Sequence, residues 1–257
     1  MAPGSYRELA PPADLCDLLA CSWRRTAPAD GERAVVLPDG CADLIWLGGD
    51  RLVVAGPDTG PATALLDGAV EVVGLRFRPG LAGAALGLPA SALRDQRVSL
   101  AEIWGAPGAA LAARVAEQPD ADGVRRVLQR ALAGRRARIA PADRLVLAGV
   151  GRLRAPGVRV DALAADLGLS ERQLRRRFDA AVGYGPKVLA RVLRLSRLLA
   201  LAAAAPRDLA RLAADAGYAD QSHMSRDCAR LAGRPPGVLL ALRGEGAAAR
   251  AAGEDPA

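Results

Sequence analysis

The chain of 257 residues is short of the residues on which most site chemistry depends: it has one histidine, one lysine, two methionines and eight aromatic side chains. A single histidine, His223, with no Cys or Ser partner and third orienting group evident around it, gives no basis for nucleophilic catalysis. The four cysteines, Cys16, Cys21, Cys41 and Cys228, contain no C-x-x-C pair. They would make a zinc site only if distant segments converged, so no metal or cofactor is expected and the thiols read as reduced. The opening "MAPGSYRELAPPADL" lacks a basic start followed by an apolar core, and no apolar run is long enough to span a membrane. A cytoplasmic protein with no membrane partner is the expectation.

Hydrophobic residues make up 51% of the chain, enough to bury real cores, and the length suits two domains better than one. Of the 35 basic residues only Lys187 is a lysine, a bias that reflects a GC-rich genome and says nothing of function. Where the charge lies is more telling. Residues 159–243 hold 15 basic and 8 acidic residues, a net of +7, against +2 for residues 1–158 and −2 for the rest. A basic block of this kind is the electrostatic footprint of nucleic-acid binding, with a solvated surface as the plain alternative.

The same block contains a repeat. "LAADLGLSERQLRRRF" from Leu163 aligns with "LAADAGYADQSHMSRDC" from Leu212, and "GYGPKVL" from Gly183 with "GRPPGVL" from Gly233, about 50 residues apart. Each copy reads as helix, turn, helix. In the first, Leu163 and Leu167 face inward, Gly168 permits a left-handed turn, and Ser170 with Gln173 has capping-box spacing. Leu174 and Phe178 then face inward, leaving Arg172, Arg175 and Arg176 outward. In the second, Leu209 and Leu212 face inward, Gly217 turns the chain and Asp220 caps. Met224 and Cys228 take the inward positions, with Ser222, Ser225 and Arg226 outward. Gly183 and Gly233 stop the second helices, and Pro186 and Pro236 suit the first turn of a succeeding helix.

This is the helix-turn-helix pattern, whose second helix enters the major groove with Arg or short polar side chains at its N-terminal end. One such pattern is weak evidence; two aligned copies in a basic block are much stronger. The block 158–243 resembles the AraC/XylS family of bacterial transcription regulators. The family's second-unit pattern, glycine-aromatic, then S-H-aromatic-S-R, then G-x-x-P, stands here as "GY", "SHMSR" and "GRPP". The resemblance implies an all-α domain of two helix-turn-helix units joined by a long helix, here "GPKVLARVLRLSRLLALAAA", whose stretch from Pro186 to Ala203 would span about 27 Å at 1.5 Å per residue. Met224 and Cys228 depart from it, standing where the family usually has Phe. The outward faces of the second helices offer Arg172, Arg175, Arg176, Ser222, Ser225 and Arg226 for DNA contact, and Lys187, at the start of the joining helix, is placed for a phosphate. His223 falls among these residues, either as a base or phosphate contact or as a water-exposed neighbour of one.

The N-terminal half has a different texture. "ERAVVLPDGCADLIWLGGDRLVVAGP" and "AVEVVGLRFRPG" are short β-branched runs broken by Gly, Pro and Asp, as in a small antiparallel sheet or barrel. Val124, Val127, Leu128, Ala131 and Leu132 form an amphipathic stripe that packs on the barrel or makes a dimer seam. Asp43, inside an apolar strand, needs a partner, and Arg76 in "VVGLRF" could supply it. The two make either an internal ion pair or a ligand-facing pair. Trp46 reads as core.

The expected fold is α+β: an N-terminal β-barrel or sheet with flanking helices, then an all-α domain. The divisions are 1–138 for a sensor-like domain, 139–157 for a linker and the first helix, 158–243 for the DNA-binding domain and 244–257 for a disordered tail. The expected function is sequence-specific transcription regulation without enzymatic activity. The partners would be double-stranded DNA, with a small-molecule effector, RNA polymerase and a second copy as candidates. Two alternatives stand beside it: a cysteine alkyl-acceptor regulator, whose close four-cysteine cluster the chain lacks, and an architectural DNA binder without a ligand.

Overall fold

The computed structural model describes residues 5–66, 68, 70–204 and 208–241. Within them the N-terminal half is a six-stranded antiparallel sheet. Its strands are β1 (Ser5–Leu9), β2 (Leu19–Thr26), β4 (Asp43–Trp46), β5 (Leu52–Ala55), β7 (Glu71–Phe77) and β8 (Arg97–Ser99), in the order β1-β2-β7-β4-β5-β8. Strands β3 (Glu32–Val36) and β6 (Ala62–Leu66) form a separate two-stranded sheet. The arrangement is thus an open sheet rather than a closed barrel: β1 and the three-residue β8 lie at opposite edges. Strand β7 is central because "VVGLRF" buries almost every side chain. Gly74 at its middle leaves room for the Trp23 ring, into which a Cβ would run.

Helix α1 (Ala82–Leu86) lies between β7 and β8, and α2 (Leu100–Trp104), α3 (Ala106–Ala116) and α4 (Ala121–Gly134) follow β8. Asp120 caps α4 by accepting from the Gly123 amide at 2.6 Å. The expected stripe is on its inner side, with Val124, Leu128 and Leu132 fully buried and Val127 and Ala131 packed alongside. That face lies on β7, in the same core as Leu44, Val73, Leu75 and Phe77, so the stripe is spent within the chain.

The C-terminal half is helical: α5 (Arg144–Leu153), α6 (Val160–Asp166), α7 (Glu171–Val182), α8 (Pro186–Ala204), α9 (Leu209–Ala216) and α10 (Gln221–Ala232). They surround a second core. Helix α5, within the stretch assigned to the linker and first helix, contributes Val146, Val150 and Leu153 to it. Helix α8 runs through it for 19 residues and buries Leu189, Val192, Leu195 and Leu198. Among the described residues no helix is long and apolar enough to cross a membrane. The tail 244–257 lies outside the described residues.

Candidate nucleic-acid interface

Each helix-turn-helix unit is built by local chemistry. In the first, Gly168 takes φ +66°, a left-handed turn that suits glycine. Ser170 then closes a reciprocal capping box: its Oγ accepts from the Gln173 amide at 3.2 Å, and Gln173 Oε1 accepts from the Ser170 amide at 2.9 Å. Those bonds fix where α7 begins. Leu174, Phe178 and Val182 are buried beneath it, so Arg172, Arg175 and Arg176 are left on the exposed face.

The second unit reaches the same shape with different residues. Asp208 caps α9 through the Arg211 amide at 2.8 Å, Gly217 turns the chain at φ +88°, and Asp220 caps α10 through the His223 amide at 2.6 Å. Met224 and Cys228 are fully buried where the first unit has Leu174 and Phe178. Burial pushes the Cys228 thiol up to about 11, so it is a protonated core side chain at neutral pH. Ser222 and Arg226 are exposed and Ser225 is half-buried. Lys187, 72% exposed at the start of α8, has Glu171 Oε2 at 3.8 Å. The second helix of each unit therefore carries an exposed polar N-terminal half on a buried apolar base.

His223 has internal partners that neither reading of the sequence included. Its Nε2 is 2.9 Å from an Arg194 guanidinium nitrogen, and its ring meets Tyr218 edge to face at 5.3 Å. Arg194, on α8, donates to Asp227 Oδ2 at 3.2 Å, while Arg191 Nε lies 3.9 Å from Asp227 Oδ1. Asp227 is 6% exposed. This cluster fastens α10 to the joining helix. Arg197, one turn further along, donates to the carbonyls of Ala216, at 2.8 Å, and Arg154. The sequence did carry a signal for it: Arg191, Arg194 and Arg197 recur at i+3 on an otherwise apolar helix.

Residues 163–241 match the family described as a helix-turn-helix domain. The chain carries an AraC-type helix-turn-helix domain. Such a domain binds DNA in the regulation of transcription. Ahead of this AraC-type domain, residues 7–99 match a domain family of unknown function. No match was found among curated proteins. Two similar solved structures are of ToxT from Vibrio cholerae. One, from O395, is 12% identical over 92% of this chain and 97% of that one, with a TM-score of 0.43. The other, the unsaturated fatty acid bound wild-type protein from strain SCE256, is 11% identical over 92% and 94%, with a TM-score of 0.42.

In the domain that precedes the AraC-type one, Asp43 and Arg76 face each other across β4 and β7. Arg76 Nε and NH2 donate to the two carboxylate oxygens at 3.1 and 3.2 Å. Trp23, which the sequence reading did not single out, donates its Nε1 to Asp43 Oδ2 at 3.0 Å. Glu8 and Asp39 each lie 3.4 Å from the same guanidinium. Burial pushes the Asp43 carboxyl up to about 6 against the pull of Arg76, so the pair is ionised at neutral pH. Burial also opposes the charge on Arg76, but Asp43 and Asp39 outweigh it and raise its pKa. Trp46 is half-buried against the first core and donates to the Gly49 carbonyl at 2.7 Å.

Proposed function

We propose that the protein is a sequence-specific transcription regulator in which the N-terminal halves of α7 and α10 enter successive major grooves of one duplex. The observation that carries this reading is the pair of capped recognition helices, on either side of one joining helix, each exposing basic or short polar side chains over a buried base. Arg172, Arg175 and Arg176 from the first unit, and Ser222, Ser225 and Arg226 from the second, meet bases and phosphates, Arg being suited to guanine bidentately. Lys187 neutralises a phosphate. His223 acts from behind the reading surface, through Arg194 and Asp227, and sets the pose of α10. At 1.5 Å per residue the joining helix spans about 28 Å, comparable with the ~34 Å between successive grooves on one face.

The N-terminal domain is the regulatory part in this reading. Asp43 and Arg76 form an internal ion pair rather than an effector site, because Asp43, Asp39 and Glu8 already surround the guanidinium and Trp23 takes the second Asp43 oxygen. Selection of bound sequences from random DNA tests the function. It should return two short elements about ten base pairs apart; the absence of any enriched sequence would overturn sequence-specific reading.

A further inference from the structure

Between β5 and β6 the chain runs GPDTGP over residues 56–61, and this short loop of the N-terminal domain touches both helix-turn-helix units. Pro57 packs on Gly183, the left-handed cap of α7, so closely that a Cβ there would strike its ring. At the other end, Pro61 Cγ lies 3.4 Å from where a Cβ on Gly233 would stand, and Gly233 is the left-handed cap of α10. A Cβ on Gly60 would sit 3.7 Å from the Arg230 carbonyl of the same helix.

The loop is braced as a rigid piece. Its Thr59 amide and hydroxyl donate to the Asp95 carboxylate at 2.7 and 2.9 Å, and Arg97 grips Asp58 through two bonds at 2.9 and 2.7 Å. The Gly56 amide donates to the Gln96 carbonyl at 3.0 Å. Asp95 holds φ +56°, the one non-glycine residue with positive φ among the described residues, a left-handed position that aspartate tolerates in turns. Two prolines remove further freedom. Beside the brace, Arg94 Nε donates to the Gly183 carbonyl at 2.5 Å, a cation at the negative end of α7. The same guanidinium reaches Asp179 at 3.8 Å, the carboxylate that Arg175 approaches at 3.7 Å.

Helix α8 is the covalent link between the two units, and the loop is a second tie between them. It packs closely on the C-terminal end of α7 and borders that of α10, while the N-terminal halves, with their arginines and serines, remain open. We infer that the 56–61 loop, with Arg94, is a specificity-determining element: it fixes the separation of the two recognition helices and so the spacing between the two DNA elements they accept. The inference rests on the reading that both helices contact DNA. One base pair of altered spacing moves an element by about 3.4 Å and turns it by about 35°, a displacement that a doubly tied pair of helices cannot follow and a singly tied pair follows more readily.

The test is the affinity of the full chain for duplexes that carry both elements at the selected spacing and at one or two base pairs more or less. The wild type should lose affinity steeply away from the optimum. Asp95→Gly, which removes both acceptors of Thr59 and suits the positive φ at that position, and Arg94→Ala, which removes the bond to the Gly183 carbonyl at the end of α7, should each reduce that spacing penalty by about fivefold or more while leaving affinity for a single element unchanged. The double change Pro57→Gly and Pro61→Gly should do the same. If the double variant does not fold, the two single ones decide, with helix circular dichroism to establish that they are folded. A steep wild-type profile preserved in folded Asp95→Gly and Arg94→Ala would overturn the inference alone. A wild-type profile flat in spacing would overturn the two-helix reading and the inference with it.

Discussion

Replacing Asp227 by alanine removes the acceptor on which the second recognition helix is anchored. Its side chain is 8% exposed; the carboxylate accepts from Arg194 at 3.2 Å and has Arg191 at 3.9 Å, with His223 Nε2 lying 3.6 Å away. Breaking a buried pair from one side costs about 3–5 kcal/mol, because the remaining charge is left uncompensated. Here the full figure is too large. Arg194 keeps His223 Nε2 at 2.9 Å and the Tyr218 ring at 5.1 Å, its side chain is 22% exposed to water, and Arg191 is more exposed still. About 2–3 kcal/mol is the expected loss after that discount. Asp227→Asn keeps an oxygen of the same shape facing Arg194 and should cost about half as much.

The distribution of chromophores makes the loss readable by domain. Trp23, Trp46 and Trp104 all lie in the N-terminal half, so tryptophan fluorescence follows the sheet while far-ultraviolet circular dichroism is weighted to α5–α10. In urea the dichroism midpoint of Asp227→Ala should fall by roughly 1 M, with a smaller shift in fluorescence. DNA affinity should fall for all sequences alike, since the pose of α10 is loosened and no base contact is removed. A dichroism midpoint unchanged from wild type would refute the anchoring argument.

Four other perturbations have defined outcomes. Arg226→Ala should cost about 1–3 kcal/mol of DNA binding and relax preference at one base pair, whereas Lys187→Ala should weaken every sequence equally; binding to a panel of single-base variants separates the two, and a uniform loss for Arg226→Ala would refute its reading role. Asp43, raised to about 6 from an unfolded value near 3.8, takes up its proton earlier in the folded state, so its contribution to stability falls as pH rises from about 4 to 6 and is lowest above 6. Relative to Asp43→Asn, the fluorescence-detected stability of the wild type should therefore decline by about 3 kcal/mol across that window, and parallel pH profiles for the two proteins would contradict the raised value. Gly74→Ala drives a methyl group into the Trp23 ring and should lower the fluorescence midpoint by the equivalent of about 3 kcal/mol; an unchanged midpoint would show that the ring has room to move.

The parts of this molecule that are set by neighbours in sequence were legible from the sequence. Ser170 with Gln173, Asp220, Gly168 and Gly217 act within a turn or two of themselves, and a repeat doubles their signal. Asp43 and Arg76 were also legible as partners, since a carboxylate and a guanidinium in two apolar strands have few other solutions. Strands β1 and β2 were not, because "SYREL" and "LACSWRRT" alternate poorly and become strands by pairing with each other and with β7. The buried bond from Gln129 to Ser22 at 2.8 Å joins α4 to β2 across more than a hundred residues, beyond any local pattern. The grip of Arg194 on His223 and Asp227 depends on how α8 crosses α10, so the same histidine that looked like a surface residue in the sequence is turned toward the joining helix.

The most direct test of two helices reading one duplex is a hydroxyl-radical footprint of the full chain on its selected sequence. Two protected patches are expected, centred about one helical turn apart and on the same face of the DNA. A single protected patch, or two on opposite faces, would contradict the two-helix reading.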